Sequence, residues 1–282
     1  MFTLNCKGRL ITFGQPVVMG IMNTTPDSFF SSSRINDEEA LINVASKMIS
    51  DGAGMIDIGG QSTRPGSVRV SAAEETERVV KPISVLHAVF PELIISVDTY
   101  YASVAKASVL AGASVVNDIS GGMMDADMLD TVGKLNVPFI CTHMKGTPET
   151  MQLDPVYEDV TLEILDFLVH QVKLCNRAGI KDVIIDPGIG FGKTMAQNFE
   201  LIHKLERFSI LDNPLLLGVS RKGTIYKTLE TDAAGALNGT TVLNTIGLMK
   251  GASILRVHDV REAVEAVKLV SAVNGQTLQE LK

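Results

Sequence analysis

No stretch of this 282-residue chain approaches the roughly 18 consecutive apolar residues of a membrane-spanning helix, although 45% of its residues are hydrophobic. The first residues also lack a basic segment followed by an apolar core, so they do not read as an export signal. Basic residues are in deficit. A net charge of −7 and an isoelectric point near 5.3 argue against nucleic acid as a partner, which is held by clustered Lys and Arg on a basic surface. Cysteine is scarce and odd in number: Cys6, Cys141 and Cys175 share no metal-type spacing, so reduced thiols in a cytoplasmic protein are the expectation. No Ser/His/Asp or Cys/His hydrolytic arrangement is apparent. One further absence decides a motif. The segment 186–194, DPGIGFGKT, resembles a phosphate-binding loop G-x-x-x-x-G-K-[ST], but the first glycine of that pattern falls on Pro187. Proline has no N–H to turn toward a phosphate, so the loop needs another explanation.

What is present is a regular alternation. Residues 3–13, TLNCKGRLITF, alternate around Lys7-Gly8 as a short β-hairpin would, forming a lid or plug ahead of the main domain. Eight short apolar runs follow: PVVMGIMN, GMIDIGG, LIISVDT, SVVNDIS, PFICTHM, DVIIDPG, PLLLGVS and SILRVHD. Between them lie stretches of helical periodicity, several ending at glycine. Eight alternations of buried strand and helix predict an α/β protein, a (β/α)8 TIM barrel with a short N-terminal β-hairpin, in a single domain over 1–282 (hairpin 1–14, barrel 15–275).

Each run ends in a residue unsuited to a core: Asn23, Asp57, Asp98, Asn117, His143, Asp186, Ser220 with Arg221 and Lys222, and Arg256 with His258. These are C-terminal strand ends, where barrel enzymes place their chemistry. Asp57, with Gly59-Gly60 two residues on, reads as a turn former instead. A buried carboxylate must face donors, so Asp98 and Asp186 suit the ring N–H and exocyclic NH2 of an amino-pyrimidinone, with Asn117 and Lys222 serving its carbonyl and ring nitrogens. Pairing within the set, such as Lys222 with Asp186, is the alternative. A second constellation is basic. Ser62, Thr63, Arg64, Pro65, Gly66 and Ser67, with Arg256 and His258 on one strand face, suit a phosphate or diphosphate. Asn23 could hold a Mg2+ that binds chiefly through such phosphates. The hydroxyl-rich segment 24–34 reads as a lid.

The motifs GIMNTTPDSF, DIGGQSTRPGS, SVDTYYASVAKASVLAGASVVNDISGG, DPGIGFGKT, GVSRKG and LRVHDV, in this order, resemble the dihydropteroate synthase family of the bacterial folate pathway over residues 17–260. The resemblance implies a transferase on a (β/α)8 barrel. It would join 6-hydroxymethyl-7,8-dihydropterin diphosphate to p-aminobenzoate, giving 7,8-dihydropteroate and pyrophosphate, and it would be a sulfonamide target. It implies that Asp98, Asn117, Asp186 and Lys222 hold the pterin, with Arg256 stacked on the ring. Arg64, Arg256 and His258 would grip the diphosphate, and Asn23 would bind the Mg2+ cofactor. Thr63, Pro65, Gly190 and Phe191 would frame the p-aminobenzoate pocket, and Ser62, Ser220 and Asp27 would complete the substrate contacts. A cytoplasmic homodimer is implied as well. Three positions depart from the family pattern: Ser31-Ser32-Ser33 in the first lid, Gln61 where glutamate is usual, and Gly223 where serine is frequent. A pterin-dependent methyltransferase would have no use for the basic constellation. A silent pterin-binding paralogue would rest on the altered lid alone.

Overall fold

The computed structural model describes the chain apart from residues 25–33, 62–68, 152, 154 and 276–282, and for 34–37 it describes the helical backbone alone. Two strands open it, β1 (Phe2–Cys6) and β2 (Arg9–Phe13), paired antiparallel from Phe2 with Phe13 to Cys6 with Arg9. Lys7 and Gly8, at φ 56° and 90°, make the two-residue turn that matches the twist of such a ribbon.

Eight parallel strands then alternate with helices: β3 (Val17–Asn23), β4 (Met55–Gly59), β5 (Ile94–Asp98), β6 (Val115–Asp118), β7 (Phe139–Thr142), β8 (Val183–Asp186), β9 (Leu216–Leu217) and β10 (Ile254–Val257). All eight apolar runs of the sequence are strands. Hydrogen bonding runs in the order β8-β7-β6-β5-β4-β3-β10-β9, and a bridge between Ile185 and Leu215, with Ile185 N–H donating to Pro214 O at 2.9 Å, closes β8 onto β9. The fold is the expected (β/α)8 barrel.

The period-two alternation of strands sorts side chains between the barrel lumen and the helices. Met19, Met55, Ile94, Val115, Ile140, Ile184, Leu216 and Ile254, one from each strand, join Leu4 and Cys6 of the hairpin in one buried cluster. These lie near the strand starts, so the hairpin plugs the N-terminal end of the barrel and is no lid on the opposite mouth. Asn5 N–H donates to Asp182 Oδ2 at 2.8 Å and Lys7 Nζ to Val109 O at 2.9 Å, which fastens the plug. Two residues further along their strands, the same inward parity brings Asp57, Ser96, Asn117, Thr142, Asp186, Gly218 and Arg256 above this floor. The other parity, Val18, Ile56, Val97, Val116, Ile185 and Leu255 among them, packs under the helices.

Candidate active site

The centre of the polar layer is an arginine between two acids. Arg256 of β10 donates Nε to Asp57 Oδ2 and Nη2 to Asp98 Oδ2, both at 2.6 Å, and Asn117 Nδ2 donates to the same Asp57 oxygen at 2.9 Å. Asp57 is therefore no turn former: it points inward, fully buried, and ties three strands together. Its strand gave the signal, because Met55 on the floor fixes the parity of Asp57. Burial raises the Asp98 carboxyl to about 7 against the pull of Arg256. Burial also disfavours the Arg256 cation, but Asp57 and Asp98 outweigh it and hold the guanidinium above its ordinary range. Two inward polar atoms, Asp57 Oδ1 and Ser96 Oγ, are buried without a hydrogen-bond partner. Unmet polar atoms of this kind are uncommon in native interiors and mark where a polar ligand or water belongs.

Opposite stands Asp186, whose Oδ1 accepts the Gly188 N–H at 2.7 Å; burial raises its pKa while Lys222 pulls it down. Lys222 does not close an ion pair with Asp186. Its Nζ donates to Ile189 O at 2.6 Å and lies 4.4 Å from the centroid of the Phe191 ring. Burial lowers its pKa to about 8, with Asp186 opposing. Asp186 Oδ2 and Lys222 Nζ both face the bare backbone of Gly218, lying 4.0 and 3.8 Å from where a Cβ would stand. Ser220 Oγ is 3.0 Å from His258 Nδ1 and accepts the His258 N–H at 3.1 Å, at the exposed rim. Arg221 turns away from the mouth: at φ 52° its side chain grips both oxygens of Asp259 at 2.8 Å.

The segment 186–194 is a tight turn closed on itself. Gly188 and Gly192, at φ 71° and 68°, would each drive a Cβ into backbone, onto His143 O at 1.9 Å and Lys145 O at 2.4 Å. These two glycines serve the approach of the neighbouring loop. Gly190 N–H is accepted by Asn198 Oδ1 at 2.7 Å. Thr194 caps the next helix, Met195–His203, in a reciprocal box with Gln197, as an ordinary helix start would. Lys193 is more than that, being 2% exposed and surrounded by acceptors. Gln61 donates to Glu75 Oε2 at 2.6 Å and accepts from Tyr100 OH at 2.7 Å. The amide thus meets a buried acid that burial has raised to about 8, so a glutamate at this position would face another carboxyl. Asp27, Ser62, Thr63, Arg64, Pro65 and the lid serines lie outside the described residues.

Residues 19–258 match the family described as pterin binding enzyme. The dihydropteroate synthase of Escherichia coli K12 is 39% identical over 271 residues, 95% of each chain. A sulfonamide complex of the Yersinia pestis dihydropteroate synthase superposes with a TM-score of 0.91 at 38% identity, covering 98% of this chain and 100% of that one. The Xanthomonas albilineans enzyme in complex with 7,8-dihydropteroate does so with a TM-score of 0.86 at 35% identity and the same coverage.

Proposed function

This chain belongs to the pterin-binding enzyme family and catalyses dihydropteroate synthesis in the folate pathway, and on that premise we propose how its barrel mouth performs the reaction. The substrates are small molecules, a pterin diphosphate and p-aminobenzoate. The observation that carries the assignment of residues is the buried polar layer in which Arg256 joins Asp57 and Asp98 beneath unmatched acceptors, with Asp186 and Lys222 across from it.

We assign the pterin to this layer. Asp98 and Asp186 take its ring N–H and amino protons, Asn117 and Lys222 serve its carbonyl and ring nitrogens, and Asp57 keeps Arg256 and Asn117 oriented. Arg256 spends Nε and one Nη2 proton on the two acids, and the rest of its guanidinium flanks the pterin and the diphosphate with His258. Arg64 is assigned to the diphosphate by resemblance, and Thr63, Pro65, Phe191 and Gly190 to the arylamine. The methylene C–O bond breaks with its electron pair leaving on pyrophosphate, and the dihydropterin ring delocalises the cation left behind. The arylamine nitrogen then attacks that carbon and loses a proton. Positive groups fixed around the departing anion lower the barrier without having to reorganise. A weak neutral nucleophile suffices, so no strong general base is required.

Asn23 Oδ1, a hard oxygen donor, lies 3.8 Å from where a Cβ on Gly59 would stand, on the same side as Asp98. A lone neutral amide oxygen of this kind suits a Mg2+ that keeps most of its waters and is held mainly by the diphosphate. When bound, that ion would neutralise charge on the leaving group; Asn23 would hold it. Pyrophosphate release from the purified protein, with the pterin diphosphate and Mg2+, is expected to depend on added p-aminobenzoate. Tight pterin binding without release would overturn this assignment of roles.

We also place the protein in the cytoplasm as a homodimer. No helix among the described residues is long and apolar enough to cross a membrane. The helix Leu237–Met249 exposes Val242, Ile246 and Met249, an apolar stripe at helical spacing. The helix Val260–Val273 adds Leu269 and Val273, 70% and 79% exposed. Clustered exposure of this kind favours a partner surface. Sedimentation should show a dimer that Ile246→Asp converts to monomer; a monomeric parent protein would refute the reading.

A further inference from the structure

Lys193 is the one charged residue of the 186–194 segment to which the reaction assigns no role. Its ammonium nitrogen lies 2.9 Å from His143 Nδ1, 3.1 Å from His143 O, 2.8 Å from Gly188 O and 3.0 Å from Phe191 O. Three carbonyls and one imidazole nitrogen thus surround a single lysine nitrogen, which offers three N–H donors in its charged form. Burial pulls the pKa of Lys193 well down, while Asp186 pulls it up and Lys222 opposes. His143 stays neutral, since burial and then Lys193 and Lys145 depress its pKa to about 2.

The cage is made by the backbone. Gly188, Gly190 and Gly192 all have positive φ, and the turn they form aims the carbonyls of residues 188 and 191 at one point. Oxygens converging in this way repel one another unless a cation sits between them. The same turn carries Ile189 O, the acceptor of Lys222 Nζ, and the Phe191 ring beside that ammonium. It also carries the Gly188 N–H that fixes Asp186.

We propose that Lys193 is a positioning residue for the synthase reaction, an internal counter-ion that holds the 188–192 turn in the shape that sets Lys222 and Asp186 for the pterin. The proposal rests on the assignment of those two residues to the pterin site. Lys193→Met keeps the length of the side chain and removes the charge and the donors. It should fold cooperatively, raise KM for the pterin diphosphate about 10- to 100-fold, and move the acidic limb of kcat/KM to higher pH. The limb moves because Lys193 is one of the cations that lower the pKa of Asp186, beside Lys222 and Arg256. Should the methionine variant not fold, Lys193→Gln, which keeps two donors without the charge, should show the same shift. A variant with lower Tm but unchanged KM and pH limb would reduce Lys193 to a structural part and overturn the proposal. Lys222→Ala in parallel separates two failures. Normal turnover in that variant sinks the site assignment, whereas its loss beside a kinetically normal Lys193→Met sinks only the positioning role.

Discussion

Replacing Arg256 with methionine should destabilise the protein by about 3–5 kcal/mol and abolish turnover, because it strands two carboxylates that share one buried cation. Asp57 is fully buried and Asp98 nearly so, and each gives an oxygen to Arg256 at 2.6 Å. Without the guanidinium neither has a charged hydrogen-bond donor among the described residues: Lys222 acts on Asp98 only as a more distant charge, and Asn117 offers Asp57 a neutral donor. The loss should grow with pH. The Asp98 carboxyl is already raised to about 7 by burial, and losing Arg256 raises it further. A carboxyl whose folded pKa exceeds its unfolded value binds more protons folded than unfolded across that interval, so stability falls as pH rises through it. Urea unfolding of parent and variant at pH 5 and pH 8 checks this: the gap should be wider at pH 8. A constant gap below about 1 kcal/mol would mean that the triad is not the strut described here.

Lys222→Ala and Asp186→Asn should each lower turnover at least about a hundredfold while leaving the melting transition cooperative, since each removes a fixed polar group facing the reacting ligand. Lys222 touches the protein through one carbonyl and one ring face, so its loss opens little of the core. In the parent protein, pterin affinity should weaken as pH rises through about 8, where Lys222 gives up the proton it would donate. Titration of pterin binding across pH 6 to 9 is the measurement. Near-normal activity in either variant, or affinity that is flat with pH, would remove these residues from the pterin site.

The barrel could be read from the sequence because its signals are local. Each apolar run is short and uninterrupted, and Lys7-Gly8 sits where a two-residue turn must sit. Strand-end polarity exposed Asp98, Asn117, Asp186 and Arg256 for the same reason: each follows a floor residue on its own strand. Asp57 obeyed that rule too, but the two glycines after it suggested a turn, and only parity with Met55 would have placed it inward. Lys193 left no such trace. Its partners are mostly backbone carbonyls, and two of its four contacts come from His143, 50 residues away, which no side-chain pattern reveals. Arg221 and Lys222 are adjacent in sequence, yet the left-handed backbone at Arg221 turns one outward to Asp259 and leaves the other inward.

The plug at the far end of the barrel has a kinetic meaning. With Leu4 and Cys6 seated among the eight apolar floor side chains, the described residues make the lumen a cup closed at its N-terminal end. A guest at Asp57 therefore comes from the strand-end side, where Asp98 and His258 stand, and leaves on that side too. Depth in such a cup becomes order in time: the deepest guest is first in and last out, and each later arrival is a cork on the one beneath it.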